Sequence, residues 1–293
     1  MIRVAAPHPP GFAIAPGYRV IEHLSRGRRL DVYDVWSDER ECRCVAKTLR
    51  PDRADDRSAR RRLDAEGRLL RRLTHPHIVR GYELLREPCP LVIMETLSGE
   101  TLGHLIEEGA DRLAPVELAH LGLQLCSAIQ YLHRHRVLHL DLKPSNIVAE
   151  AGRAKIIDLS VARPPGPAGG GVGTWCYMAP EQVTGGVLGP AADVWGIGVV
   201  LWEAATGQPA FGGEEDEDRL PSDSDEELEE ELHPQLLRAA APVRRHRRLP
   251  APLARAIDAA LSREPSSRPS LAALAALLEQ VPGVPSPRSP RPT

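Results

Sequence analysis

Apolar and polar positions alternate from Tyr18 to Val35 on both sides of Ser25-Arg26-Gly27-Arg28-Arg29, a period-two pattern that predicts strand, turn and strand. Cys44-Val45-Ala46-Lys47 is a short apolar strand ending on a cation, and Leu91-Val92-Ile93-Met94 reads as a buried strand. Between them the period lengthens. Leu63, Leu70 and Leu73 share one face of a helix predicted over Arg57 to Thr74, with arginines opposite and Glu66 in the middle turns; Pro76 closes it. Glu95 to Gly99 reads as a connector, and from Leu102 onward the pattern is helical. Pro115 to Arg134 is too apolar for a surface helix and predicts the core of the second half. Ile147-Val148 and Ala154-Lys155-Ile156-Ile157 predict a hairpin ending at Asp158, and Arg163 to Gly173, almost all Pro, Gly and Ala, predicts a mobile loop. Asp193 to Glu203 reads as a buried helix and Leu271 to Val281 as a last amphipathic one.

Composition narrows the class. With 293 residues and 42% hydrophobic content the chain can bury one large core or two lobes, which excludes fibrous and wholly disordered classes. A formal net charge of -3 gives no case for nucleic-acid steering. Five cysteines form no CxxC pair, which suggests reduced thiols and a cytoplasmic location; Cys42 and Cys44 read as packing residues. Met1 to Gly17 has no apolar signal-peptide core, and no run approaches the ~18 apolar residues of a membrane span. His75 and His77 lack further ligands for a metal.

The basic residues are more informative than their number. Only Lys47, Lys143 and Lys155 among the 37 Lys plus Arg are lysine. Two chosen basic sites would both hold Lys by chance roughly once in two hundred, whereas a tight phosphate site selects its compact charge. Lys143 lies in His139-Leu140-Asp141-Leu142-Lys143-Pro144-Ser145-Asn146. An acid to accept a hydroxyl proton, a cation beside a moving phosphoryl group and an amide oxygen for a metal are the parts in-line transfer needs. Lys47 is either a solvated strand-edge cation or an amine held by Glu66 against phosphates. Asp158 either caps a turn or joins Asn146 as an oxygen ligand of Mg²⁺. The hairpin at Ser25, Gly27, Leu30 and Val32 is either ordinary or a phosphate lid that keeps one glycine of three.

Two further segments, Gly173-Thr174-Trp175-Cys176-Tyr177-Met178-Ala179-Pro180-Glu181 and Asp193-Val194-Trp195-Gly196-Ile197-Gly198, complete a collinear series. From about Tyr18 to Leu278 the chain resembles the eukaryotic-like Ser/Thr protein kinases, particularly the bacterial ones. The resemblance implies a bilobal α+β fold: a flexible segment 1–17, a kinase domain 18–281 with a β-rich N-lobe at about 18–95 and a helical C-lobe at about 100–281, and a Pro/Ser/Arg tail 282–293. It implies ATP and Mg²⁺, or Mn²⁺, as cofactors and protein Ser/Thr hydroxyls as acceptors. Lys47 would bind the α/β-phosphates and pair with Glu66; Asp141 would be the catalytic base; Lys143 would face the γ-phosphate; Asn146 and Asp158 would hold the metal. Ser25, Gly27, Val32, Val45, Glu95, Leu97 and Val148 would line the nucleotide. Thr174 would align Asp141 and Lys143, Glu181 would pair with Arg268, and Asp193 would brace the catalytic loop.

Departures from the family pattern set further expectations. Leu140 stands where many kinases have an arginine that an activation-loop phosphate must neutralise, and no Ser, Thr or Tyr lies between Ser160 and Thr174. Both point to a kinase that needs no activation-loop phosphorylation. Asp158-Leu159-Ser160 keeps the acid of the metal motif and loses its Phe and Gly. Ser25 and Leu30 replace lid glycines, which predicts weak ATP binding or slow turnover wherever φ > 0 is required. Residues 214–231 hold 12 acids and one Arg, followed by Arg244-Arg245-His246-Arg247-Arg248: a solvated loop, a docking patch for a basic partner, or a clasp between the two runs. A low-activity or inactive pseudokinase serving as a partner-binding module is the alternative function.

Overall fold

The computed structural model describes residues 5–87, 89–109, 112–212 and 233–285. The acidic stretch 214–231 and the tail residues 286–293 lie outside the described residues. The chain is an α+β protein of two compact units, one comprising the residues up to Ser98 with Asp158–Ser160, the other Gly99–Ile157 with Val161 onward.

The first unit is an antiparallel sheet of β1 (Ala13–Ala15), β2 (Tyr18–Arg26), β3 (Leu30–Ser37), β4 (Cys42–Leu49), β5 (Gly81–Leu85) and β6 (Leu91–Glu95), in the order β1-β2-β3-β4-β6-β5. Its register opposes Ser25 to Val32, Val32 to Lys47 and Lys47 to Val92. Directly opposed residues share a face, so these four form one row across the sheet, with Val45 and Met94 opposed in the adjoining row. Helix α1 (Arg57–Arg72) packs against the sheet. Asp56 caps it by accepting the Ser58 and Ala59 amides at 3.0 and 2.9 Å, and Leu63 and Leu70 are buried beneath it. Gly67 lets the helix sit close, since a Cβ there would come within 2.8 Å of Leu84 and 2.9 Å of Val92. That seat delivers Glu66 to Lys47.

Residues 1–17 are expected to be flexible, and the described part is instead built into the unit. Ala13–Ala15 pairs with β2, the His8 amide donates to the Tyr33 hydroxyl at 3.1 Å, and Arg26 donates to the Ala5 carbonyl at 2.7 Å. The cause is a buried polar cluster. Asp31 has no exposure and takes both prongs of Arg26 at 2.8 Å each, with the Tyr33 hydroxyl at 3.2 Å. The N-terminal segment supplies further partners to the half-buried Arg26 and the buried Tyr33.

The second unit begins with β7 (Glu100–Thr101), α2 (Leu102–Glu107) and α3 (Pro115–Arg134). Pro115 opens α3, and Glu117 reaches back to the Ala114 amide at 2.6 Å. Strands β8 (Ile147–Glu150) and β9 (Arg153–Ile156) complete a small sheet with β7. After β10 (Gly166–Ala168), α4 (Pro180–Thr184) and β11 (Gly186–Leu188) comes α5 (Pro190–Thr206), buried along nearly its whole length and ended by Gly207 at φ 72°. Helices α6 (Pro234–Leu237), α7 (Ala251–Ala260) and α8 (Leu271–Leu278) follow; α3 packs on α5 and α8, and α5 on α7.

The Pro/Gly/Ala stretch Arg163 to Gly173, expected to be a mobile loop, is held by backbone pairing. Strand β10 runs antiparallel to β11, Arg163 and Leu138 exchange both amide hydrogen bonds at 2.8 and 3.1 Å, and the Gly171 amide donates to the Gln182 carbonyl at 2.9 Å. Here glycine serves close packing: a Cβ on Gly170 would strike the Val183 carbonyl. Among the described residues no helix is long and apolar enough to cross a membrane.

Candidate active site

The sequence-derived candidates fall in both units: Ser25, Gly27, Val32, Val45, Lys47, Glu66, Glu95, Leu97 and Asp158 in the first, the rest in the second. Within the first unit three charged groups meet. Lys47 Nζ donates to Glu66 Oε1 at 2.9 Å and to Asp158 Oδ2 at 3.0 Å, with Glu66 fully buried and Lys47 nearly so. The backbone also converges on the acids: the Leu159 amide donates to Glu66 Oε1 at 3.3 Å and the Ser160 amide to Asp158 Oδ1 at 2.6 Å.

One cation thus serves two carboxylates, and each of the three groups shifts the others. Burial disfavours the Lys47 ammonium, but Asp158 and Glu66 outweigh it and hold its pKa above the ordinary lysine value. Burial also opposes charge on Asp158, where Lys47 and the Ser160 hydrogen bonds win and keep the carboxyl well below the usual range. At Glu66 burial wins, reinforced by repulsion from Asp158, and the pKa is pushed up to about 7.

In the second unit the loop after α3 presents Asp141. Its Oδ1 accepts from the Thr174 amide at 2.8 Å and the Thr174 hydroxyl at 2.7 Å, and its Oδ2 from Asn146 Nδ2 at 3.1 Å. Asn146 Nδ2 also donates to the Asp141 carbonyl at 2.9 Å, which turns the amide oxygen away from that carbonyl. In the first unit the Asp158 carboxylate is still 27% exposed; carboxylate and amide oxygens are both ligand types that Mg²⁺ takes.

From α5, Asp193 braces this loop, and Arg268 ties the start of the helix to Glu181. Asp193, 1% exposed, accepts the His139 and Leu140 amides at 3.0 and 2.8 Å and meets His133 Nε2 at 2.7 Å. Leu140 sits at φ 66°, a left-handed conformation costly for leucine, and these contacts keep it there. Arg268 grips Glu181 with two prongs at 2.6 and 2.8 Å and sends its other donors to the Ala191, Ser262 and Arg263 carbonyls, satisfying all five.

The lid candidates need correction on one point. None of Ser25, Gly27 and Leu30 takes a positive φ, so the strain that predicts weak ATP binding is absent. The turn closes through a Gly27 amide to Leu30 carbonyl bond at 2.8 Å, backed by the Arg26–Asp31 pair. Glu95 spends its side chain on the Arg80 amide at 2.9 Å, Leu97 is half-buried, and Val148 is buried on β8. Sequence reading missed Gln182, His133 and Gln235. Gln235 is fully buried and donates to the Trp175 carbonyl at 2.8 Å. A polar residue just inside a helix start gives no signal that its side chain turns inward.

Residues 18–279 match the family described as protein kinase domain. Serine/threonine-protein kinase PknB of Mycobacterium tuberculosis is 32% identical over 271 residues, which is 87% of this chain and 41% of that protein. A probable serine/threonine-protein kinase of Streptomyces coelicolor is 29% identical over 239 residues, 74% of this chain and 35% of that protein. The chain therefore covers well under half the length of these relatives. With a β-rich unit joining Lys47 to Glu66 and Asp158, a helical unit presenting Asp141, and a match from residue 18 to 279, the chain belongs to the protein kinase family.

Proposed function

We propose that the chain is an ATP-dependent serine/threonine protein kinase that needs no activation-loop phosphorylation. The observation that carries this reading is the setting of Asp141: three hydrogen bonds fix its carboxylate, and Oδ2 keeps acceptor capacity for an incoming hydroxyl. In this reading a protein Ser or Thr oxygen bonds to the γ-phosphorus while the bond to the β,γ-bridging oxygen breaks. The hydroxyl proton passes to Asp141 and ADP leaves. Lys47, kept protonated by its two acids, contacts the α/β-phosphates, and Lys143 the γ-phosphate. Asn146 and Asp158 would hold Mg²⁺ or Mn²⁺, which neutralises charge on the phosphate oxygens. Ser25, Gly27, Val32, Val45, Glu95, Leu97 and Val148 serve as nucleotide contacts; Thr174, Asp193 and the Glu181–Arg268 pair position the rest. That none of the five cysteines is in a disulfide fits a reducing cytoplasm.

The test is phosphoryl transfer from Mg-ATP by the purified protein to itself and to a generic basic protein, beside Asp141→Asn. A loss of at least about a hundredfold in the variant is expected for a general base. Equal labelling by both proteins would leave the pseudokinase reading in place.

A further inference from the structure

Gln182 directly follows Ala179-Pro180-Glu181, is 2% exposed, and uses both donors and the oxygen of its amide. Nε2 donates to the Leu140 carbonyl at 2.8 Å and the Val172 carbonyl at 2.6 Å, and Oε1 accepts the Ala179 amide at 3.1 Å. One side chain thereby joins the loop that carries Asp141 to the segment that leads into Thr174. Contact between the two segments is tight: Gly173 sits at φ 124°, and a Cβ on it would lie 2.7 Å from the Leu140 carbonyl. Thr174, the next residue, grips Asp141 Oδ1 through its amide and hydroxyl. Apart from the Asp141 carboxylate itself, the hydrogen bonds of this contact come from neutral groups. Position 140 is Leu, and residues 161–173 contain neither an acid nor a hydroxyl-bearing side chain.

We propose that Gln182 is a positioning residue: a neutral latch that seats Val172–Thr174 on the catalytic loop and so aligns Asp141 without a phosphate. Its catalytic consequence rests on the kinase activity proposed above; the latch itself does not. Removing the amide would take the donor from the Leu140 carbonyl in a buried contact and from the part-buried Val172 carbonyl, so the segment would lift rather than leave the buried one unpaired. A residue that merely packs would cost stability and leave the chemistry of the remaining folded protein unchanged.

The experiment compares wild type, Gln182→Met and Gly173→Ala by steady-state kinetics with Mg-ATP and a basic protein, and by amide hydrogen exchange over residues 170–174. Methionine keeps the volume and removes the donors; Gly173→Ala crowds the same segment against the Leu140 carbonyl and the Gln182 amide while leaving that amide in the chain. The expected result for both is kcat lower by about tenfold or more, KM for ATP within about twofold, and faster exchange at 170–174. Native exchange in Gln182→Met overturns the latch, whether or not kcat falls. Should Gln182→Met not fold, native exchange with native kcat in Gly173→Ala overturns it instead. If the wild type transfers no phosphate, exchange alone still decides, so loss of the kinase reading and loss of the latch remain distinguishable.

Discussion

At the scale of single residues, the site is governed by what burial does to charge. Glu66 has its pKa pushed up to about 7, above the 4.5 of a free glutamate, so the folded protein binds more protons than the unfolded chain between these values. Its contribution to stability is full below pH 4.5 and is lost as pH rises toward 7. The slope it can impose is at most about 1.4 kcal/mol per pH unit, the value of one proton. Glu66→Gln keeps a hydrogen-bonding group beside Lys47 and removes the titration. Denaturation midpoints for the variant are expected to be flatter over pH 4.5–7 than for wild type; identical slopes would assign the dependence to another group. Leu140 illustrates the same physics from the other side. It is 4% exposed, and residues 161–173 offer no acid, so Leu140→Arg would bury a cation with no countercharge in that segment. A loss of about 3–5 kcal/mol, the scale of an uncompensated buried charge, is expected in urea denaturation. An unchanged midpoint would show that the loop can turn the guanidinium out to solvent.

At the scale of elements, α5 is the platform on which the catalytic loop rests, and glycine decides how closely. A Cβ on Gly196 would lie 2.9 Å from the Leu142 Cβ, while one on Gly198 would lie 2.8 Å from the Ala260 Cβ of α7. Alanine improves helix propensity by about 1 kcal/mol at either site, yet neither neighbouring Cβ can move without its backbone. Both variants are expected to be less stable. They differ in activity: Gly196→Ala displaces the loop carrying Asp141 and lowers kcat, whereas Gly198→Ala disturbs only the packing of α7. Equal kcat in the two, measured at a temperature where both are folded, would contradict the platform role. Elements with an uninterrupted period were legible in the sequence. Pro115 to Arg134 emerges with the same ends, and α1 differs by two residues at its C-terminus. What composition hid was backbone pairing: Gly166–Ala168 has no strand-forming side chains, and its partner Gly186–Leu188 lies across α4. Motif spacing pointed to Asp141, Asn146 and Thr174, but Gln182 was illegible because its partners are main-chain carbonyls, which no sequence pattern displays.

At the scale of the whole molecule, the proposed independence of activation-loop phosphorylation asks what holds the loop carrying Asp141 in place. The only hydroxyls flanking the Pro/Gly/Ala segment are Ser160 and Thr174. Thr174 is 7% exposed with its hydroxyl on Asp141, so a phosphate there would set a dianion against the carboxylate the site depends on. Ser160 follows Asp158, whose Oδ1 its amide already holds, and a phosphate there would crowd a second anion beside the first. Modification at either place would dismantle the arrangement, and Leu140 provides no cation to receive it. The contacts of Asp193, Gln182 and Thr174, none of which uses a phosphate, hold the loop from within the chain. On the proposed reading, protein stripped by a broad-specificity phosphatase is expected to retain its transferase rate within about twofold, because the contacts that position Asp141 use no phosphate attached to the chain. Loss of nearly all activity on stripping, with the lost phosphate mapped to Ser160 or Thr174, would reverse the assignment and make phosphorylation the switch.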